Sequence, residues 1–192
     1  TKEIKAIGRT LNIVRIGTSG SVQADIPVDS FVISEKSIGC DGVLRFYANN
    51  ESVCDHPFEE AFIRHCRWTS SAARPYVVNA DPGLVDRLYD EEHTIKGVTL
   101  TAVGFYGPQG RVLRLPLAMP GINDRITAFR YEGYKVTNYE MESAAITGLC
   151  NLLGHRAATI CLIIANRING DASADYHSYM NKLIRYTLEK LS

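Results

Sequence analysis

Two short stretches carry the side chains best suited to chemistry. In the first, a carboxamide at Gln109 stands two positions before the guanidinium of Arg111, and in the second the carboxylates of Glu140 and Glu142 flank Met141. An amide and a guanidinium can together match the donors and acceptors of a planar ring, and a carboxylate can accept from the hydroxyls of a sugar diol. The two stretches therefore predict a site for a nucleoside.

The pair formed by Gln109 and Arg111 fits the polar edge of uracil. A carboxamide can accept from N3–H with its oxygen and donate to O2 with its nitrogen, while a guanidinium donates to O4. Cytosine reverses both groups at its far edge and would leave buried donors facing donors, which is costly. Phe105 or Tyr106 would supply a wall for the ring. The alternative is a solvated loop with an exposed glutamine and arginine, and the residues alone do not separate the two.

Glu140 and Glu142 also have a structural interpretation. Acidic residues in the first turn of a helix are favoured by the helix dipole, and a helix is predicted to begin here. Two positions apart on a helix, the carboxylates would face roughly opposite sides, so a shared ribose site requires extended or turning backbone. In that geometry one carboxylate accepts from the 2′- and 3′-hydroxyls, and Met141 packs against the sugar.

A third candidate site follows the first predicted strand, from Arg15 to Gly20. Backbone amides in a glycine turn can form an anion-binding nest, to which Arg15 adds charge and Thr18 a hydroxyl. The segment is neither a Walker loop nor a dinucleotide-binding fingerprint, and it is not a nucleophile elbow. Taken alone, a plain turn at the end of a strand is the favoured alternative.

Composition excludes several classes of partner. The 192 residues fit one domain, with 45% hydrophobic and 22% charged residues, which is enough to bury a core. Because 21 basic residues balance 21 acidic ones, we expect no nucleic acid and no anionic membrane as partner. The longest apolar run, around 157–165, is too short to span a bilayer. The five cysteines form no CxxC pair and are interpreted as reduced core thiols of a cytoplasmic protein.

The elements that must position these residues alternate between strand and helix patterns. Strands are predicted at 6–8 with 11–16, and at 31–34, 94–103, 134–137 and 156–165. Helices are predicted at 57–67, 81–89, 119–134 and 141–154, followed by a last helix capped by Ser173 with a buried stripe at Met180, Leu183, Ile184, Leu188 and Leu191. The alternation predicts one α/β domain over residues 1–192, with a mixed, largely parallel central sheet flanked by helices.

Four segments in register across the chain resemble the motifs of the uridine phosphorylases, which belong to the type I nucleoside phosphorylases. The segments are Arg15-Ile-Gly-Thr-Ser-Gly20, Phe105-Tyr-Gly-Pro-Gln-Gly-Arg111, Tyr139-Glu-Met-Glu-Ser143 and Ile164-Ala-Asn-Arg167. The resemblance implies a nucleoside phosphorylase fold and a reversible reaction in which phosphate attacks C1′ of uridine, giving uracil and ribose 1-phosphate. It implies no cofactor, no metal and no covalent enzyme intermediate, with inorganic phosphate as co-substrate.

The resemblance also assigns roles to individual residues, with Arg15, Gln109 and Arg111 as the catalytic ones. Phosphate binding falls to Arg15, Gly17 and Thr18, and ribose binding to Glu140, Met141 and Glu142, with Glu142 preferred for the diol. Uracil binding falls to Phe105, Gln109, Arg111, Ile164, Ala165 and Arg167. Purine-specific relatives carry an aspartate near the position of Asn166 and Arg167, and its absence here favours a pyrimidine.

One departure from the family pattern concerns the phosphate site. Family members have a Gly-Asp-Pro-x-x-Arg loop before the equivalent of Arg15, and this chain shows nothing like it. We therefore expect either a fragment of a longer protein or a truncated form with an impaired phosphate site. The resemblance further implies a homo-oligomer, a dimer or a trimer of dimers. A nucleoside hydrolase of the same fold and a non-catalytic nucleoside-binding or subunit-interaction protein stay open as alternatives.

Overall fold

The computed structural model describes residues 8–192, which contain eight strands and five α-helices. The strands are β1 (Asn12–Ser21), β2 (Phe31–Gly39), β3 (Tyr76–Asn79), β4 (Thr94–Thr101), β5 (Arg130–Tyr131), β6 (Tyr134–Glu140), β7 (Arg156–Asn166) and β8 (Asp171–Ala172). The helices are α1 (His56–Cys66), α2 (Pro82–Leu88), α3 (Ile122–Ala128), α4 (Ser143–Leu152) and α5 (Tyr176–Leu191). None of the helices among these residues is long and apolar enough to cross a membrane.

The sheet is mixed, and five of its strands close into a ring. The strand order is β3-β2-β4-β6-β1-β7-β8, and β2 also pairs with β7, which joins β2, β4, β6, β1 and β7 in a closed path. The pairs β1–β7, β2–β4 and β4–β6 are parallel, whereas β1–β6 and β2–β7 are antiparallel. The predicted class, a mixed and largely parallel sheet flanked by helices, is confirmed.

Apolar side chains fill the space between this sheet and the helices. Phe58 and Phe62 of α1 pack with Phe129 in one cluster, and their rings meet edge to face. Leu84 of α2 and Leu183 of α5 belong to a second cluster that includes strand residues of β2 and β7. Complete burial of a side chain of this size contributes roughly 1.5–3 kcal/mol. These contacts hold the helices against the sheet and fix the strand ends that form the site.

Most of the predicted elements are present. The strands predicted at 31–34, 94–103, 134–137 and 156–165 correspond to β2, β4, β6 and β7, although β2 extends to Gly39 and β6 to Glu140. The helices predicted at 57–67, 81–89 and 141–154 correspond to α1, α2 and α4. The Asp81 carboxylate accepts from the amide of Leu84 at 2.9 Å, so the predicted cap of α2 is confirmed.

The single helix predicted at 119–134 is wrong. Helix α3 ends at Ala128, and the chain then forms the hairpin β5–β6, in which Tyr131 pairs with Tyr134. The two turn residues, Glu132 and Gly133, have φ of 49° and 81°. Positive φ at both central positions matches the twist of the flanking strands, so the hairpin takes precedence over the helical periodicity.

The predicted cap of the last helix is also wrong. Asp175 caps α5 by accepting from the amide of Ser178 at 3.2 Å, while the Ser173 hydroxyl instead donates to Asp29. The predicted stripe is buried only in part, because Ile184 is 38% and Leu188 61% exposed.

The first strand differs most from its prediction. β1 continues through Gly17 and Gly20 instead of ending in a turn, and it pairs in parallel with β7 from Asn12 to Ser21. The register shifts only between Ser19 and Gly20. Because its backbone groups belong to the sheet ladder, the segment forms neither the predicted nest nor a plain turn. Residues 6 and 7 of the strand predicted at 6–8 lie outside the described residues.

Candidate active site

A cavity of about 300 Å³ lies where the ends of β1, β6 and β7 meet the loop between β4 and α3. Of the residues to which a role in binding or catalysis is predicted, all except Gly17 and Tyr106 line this cavity. Its lining comprises Arg15, Thr18, Ser19, Gly20, Phe105, Gln109, Arg111, Tyr139, Glu140, Met141, Glu142, Ile164, Ala165 and Arg167. No individual role is predicted for Ser19, Gly20 or Tyr139, although each lies within one of the four motifs.

At one end of the cavity, two carboxylates hold Arg15. Its Nη1 lies 3.3 Å from Glu140 Oε2, and its Nη2 forms an ion pair with Glu142. Burial lowers the pKa of the Arg15 guanidinium, but electrostatic interactions with Cys161, Glu140 and Glu142 raise it, and the net direction is upward. Arg15 is therefore charged, and its two carboxylate partners would compete with any incoming anion.

The two carboxylates differ in what they bind. Glu140 is almost fully buried, and its Oε2 accepts from the amides of Glu142 and Ser143, both at 2.8 Å. Its Oε1 accepts from the hydroxyls of Thr101 at 2.5 Å and Ser143 at 2.7 Å. Glu140 thus serves the amides at the start of α4, where the helix dipole favours an anion.

Glu142, by contrast, has acceptor capacity to spare. Its side chain is 53% exposed, and among residues 8–192 its carboxylate bonds only to Arg15. The segment between β6 and α4 turns here, which is the backbone geometry that a ribose site requires. Met141, 39% exposed, lies beside it in the lining of the cavity. Of the two carboxylates, Glu142 is therefore the one with more acceptor capacity left for a ligand.

The opposite end of the cavity collects positive charge around one amide. Gln109 Oε1 accepts from Arg111 Nη1 at 2.7 Å and from Arg167 Nη2, and Arg167 Nη1 donates to the Gln109 carbonyl at 3.2 Å. Burial lowers the pKa of Arg111, and burial together with the charge of Arg111 lowers the pKa of Arg167 to about 10. In the part of the chain that the structure describes, neither guanidinium has a carboxylate within ion-pair distance.

Aromatic rings support both guanidiniums. Arg111 Cζ lies 3.9 Å from the centre of the Phe105 ring, and Arg167 Cζ lies 4.4 Å from the centre of the Tyr139 ring. These are cation–π distances, which partly offset the loss of hydration. Arg167 Nε is buried without a hydrogen-bond partner among the described residues. Such a donor gains from a ligand acceptor, which makes this end suited to a carbonyl or an anion.

Asn123 of α3 holds the loop that carries Gln109. Its side-chain nitrogen donates to the carbonyls of Gln109 at 3.1 Å and Gly110 at 3.3 Å. Gly110 has φ of 69°, and a Cβ there would lie 2.5 Å from the Asn123 nitrogen, so glycine is required on both grounds. Gln109 is only 2% exposed. The alternative of a solvated loop with an exposed glutamine is therefore wrong.

A second, larger cavity lies on the other side of Arg111 and Tyr139. It encloses about 820 Å³ and has a mainly apolar lining that includes Trp68, Tyr106 and Leu113. Tyr106, the other residue predicted as a wall for the base, faces this cavity, whereas Phe105 faces the smaller one. Because the convergent polar groups line the smaller cavity, we take that one as the candidate site.

The described residues also show whether side chains are grouped to bind a metal ion and whether the cysteines are paired. Within 8–192, no group of three or more His, Cys, Asp or Glu side chains is arranged to hold a metal ion. All five cysteines are free thiols, and four of them are buried.

Comparison with known proteins gives consistent matches. Residues 3–187 match the family model described as the phosphorylase superfamily. The chain is 26% identical to the uridine phosphorylase of Thermococcus kodakarensis over 178 residues, which is 88% of this chain and 53% of that protein. It is also 36% identical over 87 residues to the inactive uridine phosphorylase B of Schistosoma mansoni, covering 40% of this chain and 26% of that protein.

Among solved structures, the chain is similar to a Trypanosoma brucei nucleoside phosphorylase that shows uridine phosphorylase activity. The TM-score is 0.80 at 25% identity, over 94% of this chain and 63% of that one. The chain spans about half the length of the curated uridine phosphorylases whose alignments cover 80% or more of this chain.

Proposed function

The chain belongs to the phosphorylase superfamily, and from this premise we propose that the protein catalyses the reversible phosphorolysis of uridine to uracil and ribose 1-phosphate. The family predicted from the four motifs is confirmed. One observation carries the proposal: a single cavity joins Arg15 and Glu142 at one end with Gln109, Arg111 and Arg167 at the other. Phosphate, a sugar diol and a pyrimidine each have matching groups there. Relatives named as uridine phosphorylases support the same substrate.

The base end of the cavity suits a departing uracil. Cleavage of the glycosidic bond leaves negative charge on O2 and O4 of the base, and guanidiniums without carboxylate partners bind that charge better than neutral uridine. Arg111 and Arg167 both donate to Gln109 Oε1, which directs the Gln109 amide nitrogen away from them. On entry, uracil O4 takes over a guanidinium bond, N3–H donates to Oε1, and O2 accepts from the amide nitrogen. Preorganised donors of this kind contribute on the order of 3 kcal/mol each to transition-state stabilisation.

At the other end, binding is an exchange of partners on Arg15. Phosphate replaces Glu142 on the guanidinium and accepts from the Thr18 hydroxyl, which frees Glu142 to accept from the ribose diol. Glu140 stays with the first amides of α4, so we assign the diol to Glu142, with Met141 packing against the sugar. Phosphate held below C1′ is positioned for attack, and its charge stabilises the developing cation. The proposed reaction uses inorganic phosphate as co-substrate and needs no cofactor, metal or covalent enzyme intermediate.

We also propose that the protein works as a homo-oligomer, either a dimer or a trimer of dimers, in the cytoplasm. Exposed apolar side chains near the cavity support self-association, and free thiols accord with a reducing compartment. These side chains are Val103, Phe105, Tyr106, Val112, Leu113 and Leu115. Light scattering on the purified protein measures the mass in solution, and a monomer at all concentrations would contradict the oligomer.

The proposed activity is tested by measuring uracil released from uridine with and without phosphate. We expect release only when phosphate is present, with ribose 1-phosphate as the second product. Equal release without phosphate indicates a nucleoside hydrolase instead. Uridine binding without turnover indicates a binding protein. Arg15→Met is the matched variant, since it should abolish the phosphate-dependent release of uracil while leaving uridine binding measurable.

A further inference from the structure

The Arg15 guanidinium rests on a surface formed by Gly17 and Cys161, which we call the guanidinium seat. The two residues are register partners on the parallel strands β1 and β7. Arg15 Nη1 donates to Cys161 Sγ at 3.3 Å. A Cβ built on Gly17 would lie 2.7 Å from Nη1 and 2.8 Å from both Cζ and Nη2 of Arg15. The guanidinium therefore lies directly against the backbone at position 17, in space that any other residue would fill.

Strand geometry explains why the seat has this composition. Residues two positions apart on a strand project from the same face, so Arg15 and Gly17 share a face of β1. The arginine side chain folds along its own strand over the missing Cβ and reaches the sulfur on the neighbouring strand. The need for glycine at position 17 is thereby explained without any contact between Gly17 and the ligand. This agrees with the absence of Gly17 from the lining of the cavity.

The thiol differs from the other acceptors of the guanidinium. Cys161 is fully buried, and this burial raises the pKa of its thiol to about 11, so the group is a neutral, weak acceptor at neutral pH. Glu140 and Glu142 attract the guanidinium as anions and repel an incoming phosphate. The thiol holds the guanidinium without adding negative charge near the phosphate.

We infer that Gly17 and Cys161 are positioning residues that keep the Arg15 guanidinium in place while phosphate replaces Glu142. The inference rests on the proposed function, because it takes phosphate as the ligand of Arg15. A guanidinium held in advance loses less conformational freedom when phosphate binds, so the seat should act on phosphate affinity and leave the nucleoside unaffected.

The test compares three substitutions in the purified protein. Cys161→Val removes the acceptor at similar volume, and we expect the KM for phosphate to rise about fivefold, which corresponds to about 1 kcal/mol. Cys161→Ser keeps an acceptor, so its KM for phosphate should stay closer to that of the wild-type protein than to that of Cys161→Val. Gly17→Ala should raise the KM for phosphate about tenfold, because the guanidinium must leave its position. The KM for uridine should change less than about twofold in all three.

Controls separate positioning from packing. Cys150→Val makes the same chemical change at a buried cysteine of α4 outside the cavity, and it should leave both KM values unchanged. Thermal unfolding of each variant checks that the fold is retained. Equal rises in the two KM values, or no recovery in Cys161→Ser, would overturn the inference. An unchanged phosphate KM in both Cys161→Val and Gly17→Ala would do the same.

Failure of the proposed function can be distinguished from failure of the guanidinium seat by measuring phosphate binding directly. If the wild-type protein does not cleave uridine with phosphate, calorimetric titration with inorganic phosphate alone still measures the anion affinity of Arg15. Weaker phosphate binding in Cys161→Val and Gly17→Ala would support the seat even then. Equal phosphate binding in these variants and the wild-type protein would overturn it.

Discussion

The two ends of the candidate cavity carry opposite balances of charge. At the base end, Arg111 and Arg167 converge on the neutral amide of Gln109, and neither has a carboxylate partner among the described residues. At the sugar end, a single guanidinium, Arg15, meets two carboxylates. The base end is therefore left with net positive charge, whereas at the sugar end the one guanidinium is already paired and the carboxylates outnumber it.

This difference separates two ways of binding an anion. Unpaired positive charge at the base end attracts negative charge most when that charge is largest, which in the proposed reaction is when the base leaves. Paired charge at the sugar end would make phosphate binding an exchange, since in the proposed reaction phosphate displaces Glu142 from Arg15. We expect the unpaired charge at the base end to lower folding stability and, in the proposed reaction, to stabilise the transition state. We expect the paired charge at the sugar end to cost less stability. Substitutions that change one end without the other test this division.

Removal of a guanidinium from the base end should have the largest effect. In Arg111→Met, we expect kcat/KM for uridine to fall about 100- to 1000-fold, because a preorganised donor to the leaving group is lost. Folding stability should stay equal or rise, since the repulsion with Arg167 disappears. Steady-state kinetics and chemical denaturation measure the two quantities. Arg114→Met, an exposed arginine of the same loop, is the control and should leave kcat/KM unchanged.

A stable protein with nearly normal kcat/KM in Arg111→Met would show that the base end does not bind charge. Loss of stability instead of activity would mean that Arg111 serves mainly to hold Gln109 and the loop. Either result would remove the contrast between the two ends.

At the sugar end, the largest effect should be on stability and should come from Glu140. In Glu140→Leu, the amides of Glu142 and Ser143 and two hydroxyls lose their acceptor in a buried place. We expect the free energy of unfolding to fall by about 3 kcal/mol. The control is Glu142→Leu, where the side chain is half exposed and the loss should stay within about 1 kcal/mol. Equal losses in the two variants would contradict the division between a structural and a ligand-binding carboxylate.

A smaller effect at the sugar end should be on selectivity for ribose over deoxyribose. In Glu142→Gln, we expect the preference for uridine over 2′-deoxyuridine to fall about tenfold, because a charged acceptor of the diol contributes about 1.5 kcal/mol or more. The ratio of the two kcat/KM values measures this preference and cancels any general loss of activity. Arg15 is freed at the same time, so phosphate affinity should rise or stay constant. A ratio that does not change would place the diol on another residue.

Local sequence signals predicted the parts of the molecule that depend on local physics. The cap at Asp81, the apolar run that forms β7 and the small-residue face of α4 each arise within a dozen residues. The candidate site residues could also be predicted from the sequence, because they occur in contiguous motifs at strand ends. The motifs could not reveal that Gln109 is buried, which depends on Asn123 reaching back to the loop from α3.

Long-range pairing decided the features that the sequence did not predict. Gly17, Thr18, Ser19 and Gly20 are typical of a turn, yet β7 offers a complete partner strand, and the ladder keeps the segment extended. The ion pair between Arg15 and Glu142 joins residues 127 positions apart. Spacing along the chain carries no information about such a contact. The different bonding of Glu140 and Glu142 was likewise hidden, because both are acidic residues in one short motif.

The smallest effect should come from Tyr139, which was not predicted as a site residue. Its ring supports Arg167 at 4.4 Å, and its hydroxyl donates to Asn123 Oδ1 at 3.2 Å. Tyr139→Phe keeps the ring and should change kcat/KM for uridine by less than about twofold, with a loss of about 1 kcal/mol in stability. Tyr139→Leu removes the ring and should lower kcat/KM about fivefold, since a cation–π contact contributes roughly 0.5–2 kcal/mol.

The ratio between these two variants identifies what holds the base end. If Tyr139→Phe loses as much activity as Tyr139→Leu, the bond to Asn123 is the important contact, and the base end depends on how firmly α3 holds its loop. If only Tyr139→Leu loses activity, the ring itself stabilises a guanidinium that has no carboxylate partner among the described residues. We expect the second result, because an aromatic face can hold a positive charge in place without neutralising it, and the proposed leaving-group site needs that charge.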